Sequence, residues 1–489
     1  MSGARRPLSA PRALGTLALL LLAPGARAEP TGLTLGARLN PIVGAPAFDE
    51  AFWGLEVRSL KTGNVLYALH GAKGFTPASV MKLFVTAAAL DAFGPDERPR
   101  TTVETTARID RRGRVLGDVY LVGRGDPALW ARSAEGRGTP ALEALGDALR
   151  DAGIHRIEGR LIGNEAYFQG PRRGPDWGWD DLVWWYGAEI SALSFNDNTA
   201  TLRISPGETV GDPALVERVP LSAYYTLDAD VRTTPEGSDP DLRLSRELGA
   251  NHIRLAGSVP LGAATRTLAV ALEDPALYAA TVFEELLRAR GIVVTKGVET
   301  SSRPPPSRTI VLASHDGPTI AETLVTINKN SQNLHAEMLL RLLGARVQGA
   351  GTAEGGRDAV LAFLRKAGLS PGGLDLRDAS GLSRAGVVTP AQLAALLVFM
   401  SRHPQAAVFA ASLPVAGTDG SLRNRLRGAP TEGEVTAKTG TLTHVHALAG
   451  YATCRDGDKL AFAIVLNQYT GDPGVAQAAI DFIVKALVE

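Results

Sequence analysis

Hydrophobic and polar positions alternate in a strand-like pattern near the start of the chain. Residues 52–69, FWGLEVRSLKTGNVLYAL, carry this alternation on both sides of the polar stretch 61–64. Glycine and asparagine in that stretch supply the positive φ angles that a tight turn needs. The pattern predicts a β-hairpin, with the first Lys-Thr-Gly tripeptide of the chain at its turn.

The next segment, residues 76–95 (TPASVMKLFVTAAALDAFGP), has a helical period instead. Its apolar residues recur every three or four positions. Thr76 and Pro77 are typical of a helix start, and Gly94 and Pro95 are typical of a helix end. The pattern predicts one deeply buried helix.

Short strand-like stretches dominate residues 95–314, interrupted by polar connectors and by helical patterns near 141–153 and 275–290. Helical patterns then return, followed by three strand patterns and a terminal helix. We therefore expect an α/β domain made of residues 29–94 and 315–489. The intervening region would be an insertion of two β-rich lobes.

The charge balance of the chain and its N-terminal residues bear on its binding partners and on its cellular location. The 51 basic and 51 acidic residues of the 489-residue chain balance, so no global charge favours nucleic acid. Arginines precede an apolar run at 13–23 and an Ala-x-Ala pattern at 26–28, which is typical of a secretory signal. The apolar run is shorter than the roughly 20 residues that span a bilayer. We expect a signal peptide at 1–28, cleavage after Ala28, a periplasmic location and no integral membrane segment. The single cysteine, Cys454, excludes an intrachain disulfide.

A hydroxyl and an amine lie three residues apart on the predicted buried helix, at Ser79 and Lys82. Side chains with this spacing share one helix face. A serine becomes an effective nucleophile when a neighbouring base takes its proton, and burial can lower the pKa of a lysine enough to make it that base. The pattern Ser-x-x-Lys occurs about once by chance in such a chain, so its position on a buried helix gives it weight.

Two further stretches carry candidate chemistry. Ser331 and Asn333 lie between two helical patterns and would project together, although Ser and Asn also serve as helix caps. The second Lys-Thr-Gly lies inside a predicted strand, where Lys438 and Gly440 share one face and Thr439 lies on the other. A glycine within a strand permits close approach of a ligand, and the lysine could hold a carboxylate.

The order Ser-x-x-Lys, Ser-x-Asn, Lys-Thr-Gly resembles the signature of penicillin-binding proteins and serine β-lactamases. The wide first separation, 252 positions from Ser79 to Ser331, is similar to that of class C low-molecular-mass penicillin-binding proteins. These are D-alanyl-D-alanine carboxypeptidase/endopeptidases, and the stretches 177–198, 378–390 and 413–426 also resemble their patterns. The resemblance implies a penicillin-binding transpeptidase-like (serine β-lactamase-like) α/β domain, with an antiparallel sheet flanked by helices.

The resemblance also implies catalytic roles. Ser79 would be the nucleophile and Lys82 its general base during acylation. Ser331 and Asn333 would assist proton transfer and substrate binding. The backbone N–H groups of Ser79 and Thr441 would form the oxyanion hole, in which one donor typically contributes about 3–4 kcal/mol of transition-state stabilisation.

Substrate-binding roles are implied in the same way. On the strand that contains Gly440, Lys438 and Thr439 would bind the terminal carboxylate of a D-Ala-D-Ala stem peptide or of penicillin. The family recognises the free amino end of a diaminopimelate side chain through a carboxylate of its insertion. Asp181 matches that carboxylate best, and Asp180 is the second candidate.

Departures from the family pattern are few. The middle motif is Ser-Gln-Asn rather than Ser-Asp-Asn, and His444 and His446 follow the Lys-Thr-Gly strand, where they would narrow the cleft. The two histidines lack a third ligand in the sequence pattern, so we expect no metal and no cofactor. The expected partners are peptidoglycan stem peptides, with β-lactam antibiotics as inhibitors. A β-lactamase, or a non-catalytic peptidoglycan-binding protein, stays the alternative. Oligomeric state is not indicated.

Overall fold

The computed structural model describes residues 34–129 and 139–489, so the predicted signal peptide lies outside the described residues. The helices are α1 (Leu35–Val43), α2 (Lys82–Phe93), α3 (Pro140–Asp151), α4 (Pro275–Ala289), α5 (Ile320–Lys329), α6 (Asn333–Gln348), α7 (Ala353–Lys366), α8 (Pro390–Ser401), α9 (Ala406–Ser412) and α10 (Pro473–Val488). The strands are β1 (Phe52–Ser59), β2 (Val65–Leu69), β3 (Arg100–Thr105), β4 (Arg114–Val115), β5 (Val119–Val122), β6 (Arg156–Ile157), β7 (Leu161–Asn164), β8 (Thr199–Ser205), β9 (Leu215–Val219), β10 (Thr226–Thr234), β11 (Asp241–Arg246), β12 (His252–Pro260), β13 (Arg266–Ala271), β14 (Val293–Val294), β15 (Val298–Ser301), β16 (Ile310–Asp316), β17 (Val435–Leu442), β18 (Val445–Thr453) and β19 (Lys459–Asn467).

The two ends of the chain build one five-stranded antiparallel sheet, in the order β17-β18-β19-β1-β2. The predicted hairpin supplies β1 and β2, and the three late strand patterns supply the rest. The apolar residues of α1 and α10 pack on one face of the sheet. Those of α2 and α8 pack on the other face, together with α5, α6 and α7. This architecture confirms the predicted α/β class with an antiparallel sheet flanked by helices.

Three helices, α1, α8 and α9, were not predicted from the hydrophobic pattern. Helix α8 (PAQLAALLVFMS) is apolar on almost every side because it is buried between the sheet and other helices. An all-round apolar segment has no helical stripe to detect. The local signals lie at its start: a capping box, in which Thr389 and Gln392 bond to each other's backbone N–H groups, and Pro390 at the first helical position.

The described residues between α2 and α5 contain β3 to β16, which form four further sheets, three of three strands and one of five. The two ends of this region lie side by side, because Ile320 N donates to Glu97 O at 2.9 Å and Ala321 N donates to Pro95 O at 3.0 Å. A chain that leaves and returns at one point can be inserted without disturbing the domain that it interrupts. The exact limits, 95–314, and the division into two lobes stay predictions.

A small apolar contact joins this inserted region to α6. Phe168, Ile190 and Ala192 from the insertion pack on Leu334 and Met338 of the helix. The contact places residues of the insertion beside the turn before α6, where the Ser-Gln-Asn motif lies. In the part of the chain that the structure describes, none of the helices is long and apolar enough to cross a membrane.

Candidate active site

Ser79 lies in a short 3₁₀ turn, Ala78–Met81, that leads directly into α2. Ala78 has a positive φ of 50°, an unusual conformation for a residue with a side chain, and α2 begins at Lys82. Lys82 Nζ is 2.8 Å from Ser79 Oγ. The predicted juxtaposition of hydroxyl and amine is present, but the predicted single helix begins as a 3₁₀ turn, so Ser79 precedes α2 rather than lying in it.

The amine of Lys82 is fully buried and surrounded by oxygen atoms. Besides Ser79 Oγ, it lies 2.7 Å from Asn333 Oδ1 and 2.6 Å from the backbone oxygen of Ser380. A neutral amine has two N–H donors and one lone pair. If the two carbonyl oxygens accept the two N–H groups, the lone pair is directed at the Ser79 hydroxyl.

Burial lowers the pKa of Lys82 from 10.5 to about 7, because the charged ammonium loses its hydration. The negative charges of Asp378 and Glu337 oppose this effect and raise the pKa. A substantial fraction of Lys82 is therefore neutral near pH 7, as a general base requires.

The second lysine, Lys438, is also fully buried. Its Nζ donates to Ser331 Oγ at 2.9 Å and to Thr439 O at 2.7 Å. Burial, together with the positive charge of Lys82, holds the pKa of Lys438 well below its usual value. Ser331 thus lies next to one lysine, and Asn333 contacts the other.

Capping does not account for Ser331 and Asn333. The side chain of Gln332 caps α6 by accepting from Leu334 N at 3.3 Å. Ser331 has a φ of 57°, in the left-handed region that is costly for a serine. The strained backbone directs its hydroxyl to Lys438.

Gly440 explains how β17 approaches Ser79. A Cβ at position 440 would lie 3.1 Å from Ser79 N and 2.9 Å from Pro77 O. Such contacts are tighter than normal van der Waals distances, so a residue without a side chain suits this position. The next residue, Thr441, continues the same strand past the serine.

The inserted region contributes hydrogen bonds that were not predicted. Asn333 Nδ2 donates to the backbone oxygen of Tyr186 at 2.9 Å. Trp177 Nε1 donates to Asp378 Oδ2 at 2.8 Å. These contacts fix the position of the insertion against both the Ser-Gln-Asn turn and the loop that supplies Ser380.

The predicted recognition carboxylates lie in the insertion near these contacts. Asp180 is exposed, whereas Asp181 is partly buried and hydrogen-bonded to the Tyr186 side chain. Burial and the charge of Asp180 raise the pKa of Asp181, and the nearby Arg384 partly offsets them. Asp181 is thus less exposed than Asp180, and the role of either carboxylate in recognition stays a prediction.

The two histidines after the Lys-Thr-Gly strand both pack on Tyr469. The rings of His446 and Tyr469 are stacked with centroids 5.3 Å apart. His444 Nδ1 is 2.9 Å from Tyr469 O. They belong to the packing of the turn and the following loop, and their effect on the width of the cleft stays a prediction.

Sequence reasoning missed three residues that surround Lys82: Glu337, Asp378 and Ser380. The stretch 378–390 was identified by its resemblance alone, with no role for its residues. Glu337 follows Asn333 by one helical turn, so both side chains face the same way. That spacing was the available signal for Glu337.

A model of the D-Ala-D-Ala carboxypeptidase 3 (S13) family matches residues 35–487. The D-alanyl-D-alanine carboxypeptidase of Actinomadura sp. (strain R39) is 37% identical over 493 residues, covering 97% of this chain and 89% of the relative. The D-alanyl-D-alanine carboxypeptidase DacB of Haemophilus influenzae is 26% identical and covers 86% of each chain.

A solved structure, penicillin binding protein 4 (dacB) from Haemophilus influenzae, shares the fold with a TM-score of 0.80 at 24% sequence identity. The alignment covers 92% of this chain and 98% of the other. These findings confirm the resemblance to class C low-molecular-mass penicillin-binding proteins. The chain belongs to the D-Ala-D-Ala carboxypeptidase 3 (S13) family.

Proposed function

We propose that the protein is a serine D-Ala-D-Ala carboxypeptidase and DD-endopeptidase that acts on peptidoglycan stem peptides through an acyl-enzyme. The observation that carries this proposal is the 2.8 Å contact between Ser79 Oγ and the buried Lys82 Nζ, whose pKa is lowered to about 7. The names of the Actinomadura and Haemophilus relatives support the same substrate class.

In the proposed acylation, Ser79 Oγ forms a bond to the scissile carbonyl carbon while its proton passes to Lys82 Nζ. The bond to the leaving amine then breaks, and the proton is returned to that amine, directly or through the Ser331 hydroxyl. The backbone N–H groups of Ser79 and Thr441 would stabilise the oxyanion. Water would hydrolyse the ester in the second half of the reaction.

Lys438 and Thr439 would bind the free carboxylate at the end of the substrate. Burial and the positive charge of Lys82 disfavour the ammonium form of Lys438. A bound carboxylate supplies the missing countercharge and would raise the pKa of Lys438 again. Binding and protonation of Lys438 would therefore favour each other.

Asp181 would recognise the free amino end of a diaminopimelate side chain, with Asp180 as the second candidate. The raised pKa of Asp181 supports this role, because an ammonium group would relieve the unfavourable burial of its negative charge. Export to the periplasm, with cleavage after Ala28, is supported by the basic and apolar residues at the N-terminus.

The test is intact-mass spectrometry of the mature protein mixed with benzylpenicillin, over minutes to hours, beside Ser79→Ala. We expect a persistent adduct on the wild type and none on the variant, together with release of D-alanine from a D-Ala-D-Ala peptide by the wild type alone. Penicillin consumed without an adduct would indicate a β-lactamase. Intact penicillin and no adduct would indicate a non-catalytic peptidoglycan-binding protein.

The same preparation tests Asp181. Peptides that differ only in having a free or an acetylated side-chain amine should be distinguished by the wild type. Asp181→Asn should reduce this preference about tenfold, less than for a fully buried charge pair because Asp181 is only partly buried. Asp180→Asn should keep most of the preference, and loss of the preference in this variant instead would assign recognition to Asp180, the second candidate.

A further inference from the structure

Glu337 is a fully buried carboxylate beside the active site, and it has no role in the reaction proposed above. It projects from α6 one helical turn after Asn333, which contacts Lys82 Nζ directly. A buried carboxylate is expensive unless its oxygens are satisfied, so its contacts show what it stabilises.

One oxygen of Glu337 accepts two backbone N–H groups. Oε1 is 2.8 Å from Ala379 N and 2.9 Å from Ser380 N. The carbonyl oxygen of the same Ser380 residue lies 2.6 Å from Lys82 Nζ. Glu337 therefore holds the backbone segment whose carbonyl orients the lysine amine.

Charged side chains approach Lys82 from three neighbouring parts of the fold: α6, the loop that contains Ser380, and β17. Glu337 lies on α6 with Arg341 one turn further, at 3.5 Å between Glu337 Oε2 and Arg341 Nη1. Asp378 precedes Ser380 in the adjoining loop, and Lys438 faces Lys82 from β17. Burial and the charge of Asp378 raise the pKa of Glu337 to about 7.

We propose that Glu337 is a positioning residue for Lys82: it fixes the Ser380 carbonyl against the amine, and its negative charge stabilises the ammonium that forms when Ser79 attacks. The inference rests on the proposed role of Lys82 as the proton acceptor. Removal of the charge alone should shift the proton equilibrium of Lys82, whereas removal of the whole side chain should also displace the Ser380 carbonyl.

The test is the second-order rate of acylation by benzylpenicillin, measured from pH 5 to pH 9. Acylation needs neutral Lys82, so the wild-type rate should rise with pH and level off above about 7, where the pKa of Lys82 lies. Glu337→Gln keeps an acceptor oxygen but removes the negative charge. Glu337 is ionised above its pKa of about 7, in the upper part of this limb, so loss of its charge makes the Lys82 ammonium less stable there and should move the limb to lower pH by about 0.5 unit.

Glu337→Ala removes the acceptor as well. We expect its plateau rate to fall about 10- to 100-fold, because the amine loses its orientation. Glu104→Gln is the matched control, since Glu104 is also buried and paired with an arginine but lies on β3 in the insertion. Its acidic limb should coincide with that of the wild type.

Glu337→Gln leaves Arg341 buried without its carboxylate partner, which would destabilise the fold. A second variant removes this effect. Glu337→Gln combined with Arg341→Met removes both charges and should still move the limb to lower pH, by a smaller amount. An unmoved acidic limb in both variants would overturn the inference. Absence of acylation in the wild type at every pH would instead overturn the proposed function.

Discussion

Single residues decide how closely the parts of this site approach each other. Gly381 has a φ of 74°, and a Cβ there would lie 1.9 Å from the backbone oxygen of Ala78, next to Ser79. Gly368 has nearly the same φ, 72°, but nothing lies within 4 Å of its Cβ position. Substitution of Gly368 would therefore introduce backbone strain alone, whereas substitution of Gly381 would add a steric clash beside Ser79.

We expect Gly368→Ala to lower the free energy of unfolding by about 1–2 kcal/mol, the usual cost of left-handed backbone for a residue with a side chain. Gly381→Ala should cost more, about 3–5 kcal/mol, because the new methyl group meets backbone that cannot move without displacing Ser79. Its acylation by penicillin should also slow. Urea unfolding and acylation rates measure both effects, and equal losses in the two variants would contradict this account.

At the scale of elements, the turn between α5 and α6 depends on the insertion. Gln332 Nε2 donates to Asp197 Oδ2 at 3.0 Å, and His335 Nε2 lies 2.9 Å from Asp197 Oδ1. Asp197 itself has a positive φ of 52°. One carboxylate of the insertion thus anchors the helix start that carries Ser331 and Asn333.

Replacement of this carboxylate tests the dependence. Asp197→Ala leaves polar groups of Gln332 and His335 buried without their acceptor, so the free energy of unfolding should fall by about 2–4 kcal/mol. The acylation rate should fall as well, because the catalytic turn loses its anchor. Asp228→Ala, at an exposed position of β10, should change stability by less than about 0.5 kcal/mol. Full acylation by a destabilised Asp197→Ala would show that the anchor does not orient the site.

At the scale of the whole molecule, the insertion and the sheet domain are joined at the site itself. The links are the apolar contact on α6, the Trp177–Asp378 bond and the bond from Asn333 to Tyr186. Loss of either part would remove polar and apolar partners from the other. We therefore expect the two parts to unfold together.

Urea unfolding followed by two probes checks this expectation. Five of the six tryptophans lie between residues 95 and 314, so intrinsic fluorescence reports mainly on the insertion. Labelling of Ser79 by a fluorescent penicillin reports on the sheet domain. The two transitions should coincide, as in two-state unfolding. A separate earlier transition of the tryptophans would show that the insertion unfolds independently.

Features that depend on neighbouring residues could be predicted from the sequence. The Lys61–Asn64 turn, the approach of Ser79 and Lys82 at the start of α2, and the strand that carries Lys438 follow from side-chain period and turn residues. The resemblance, now confirmed, added the family and the order of the motifs. Helix α8 was missed because it is buried on almost every side, so its sequence is apolar throughout and shows no helical period.

The sequence by itself determined the family, through the order and spacing of its motifs. It also determined the α/β class with its hairpin and late strands, and the i, i+3 placement of Ser79 and Lys82, because these are local properties of the chain. Only the tertiary structure decided that Asn333 and the Ser380 carbonyl meet Lys82, and that Glu337 supports them. These contacts join residues far apart in the chain, and packing of α6 and the following loop against α2 creates them. The lowered pKa of Lys82 has the same origin, since burial is a property of the assembled fold.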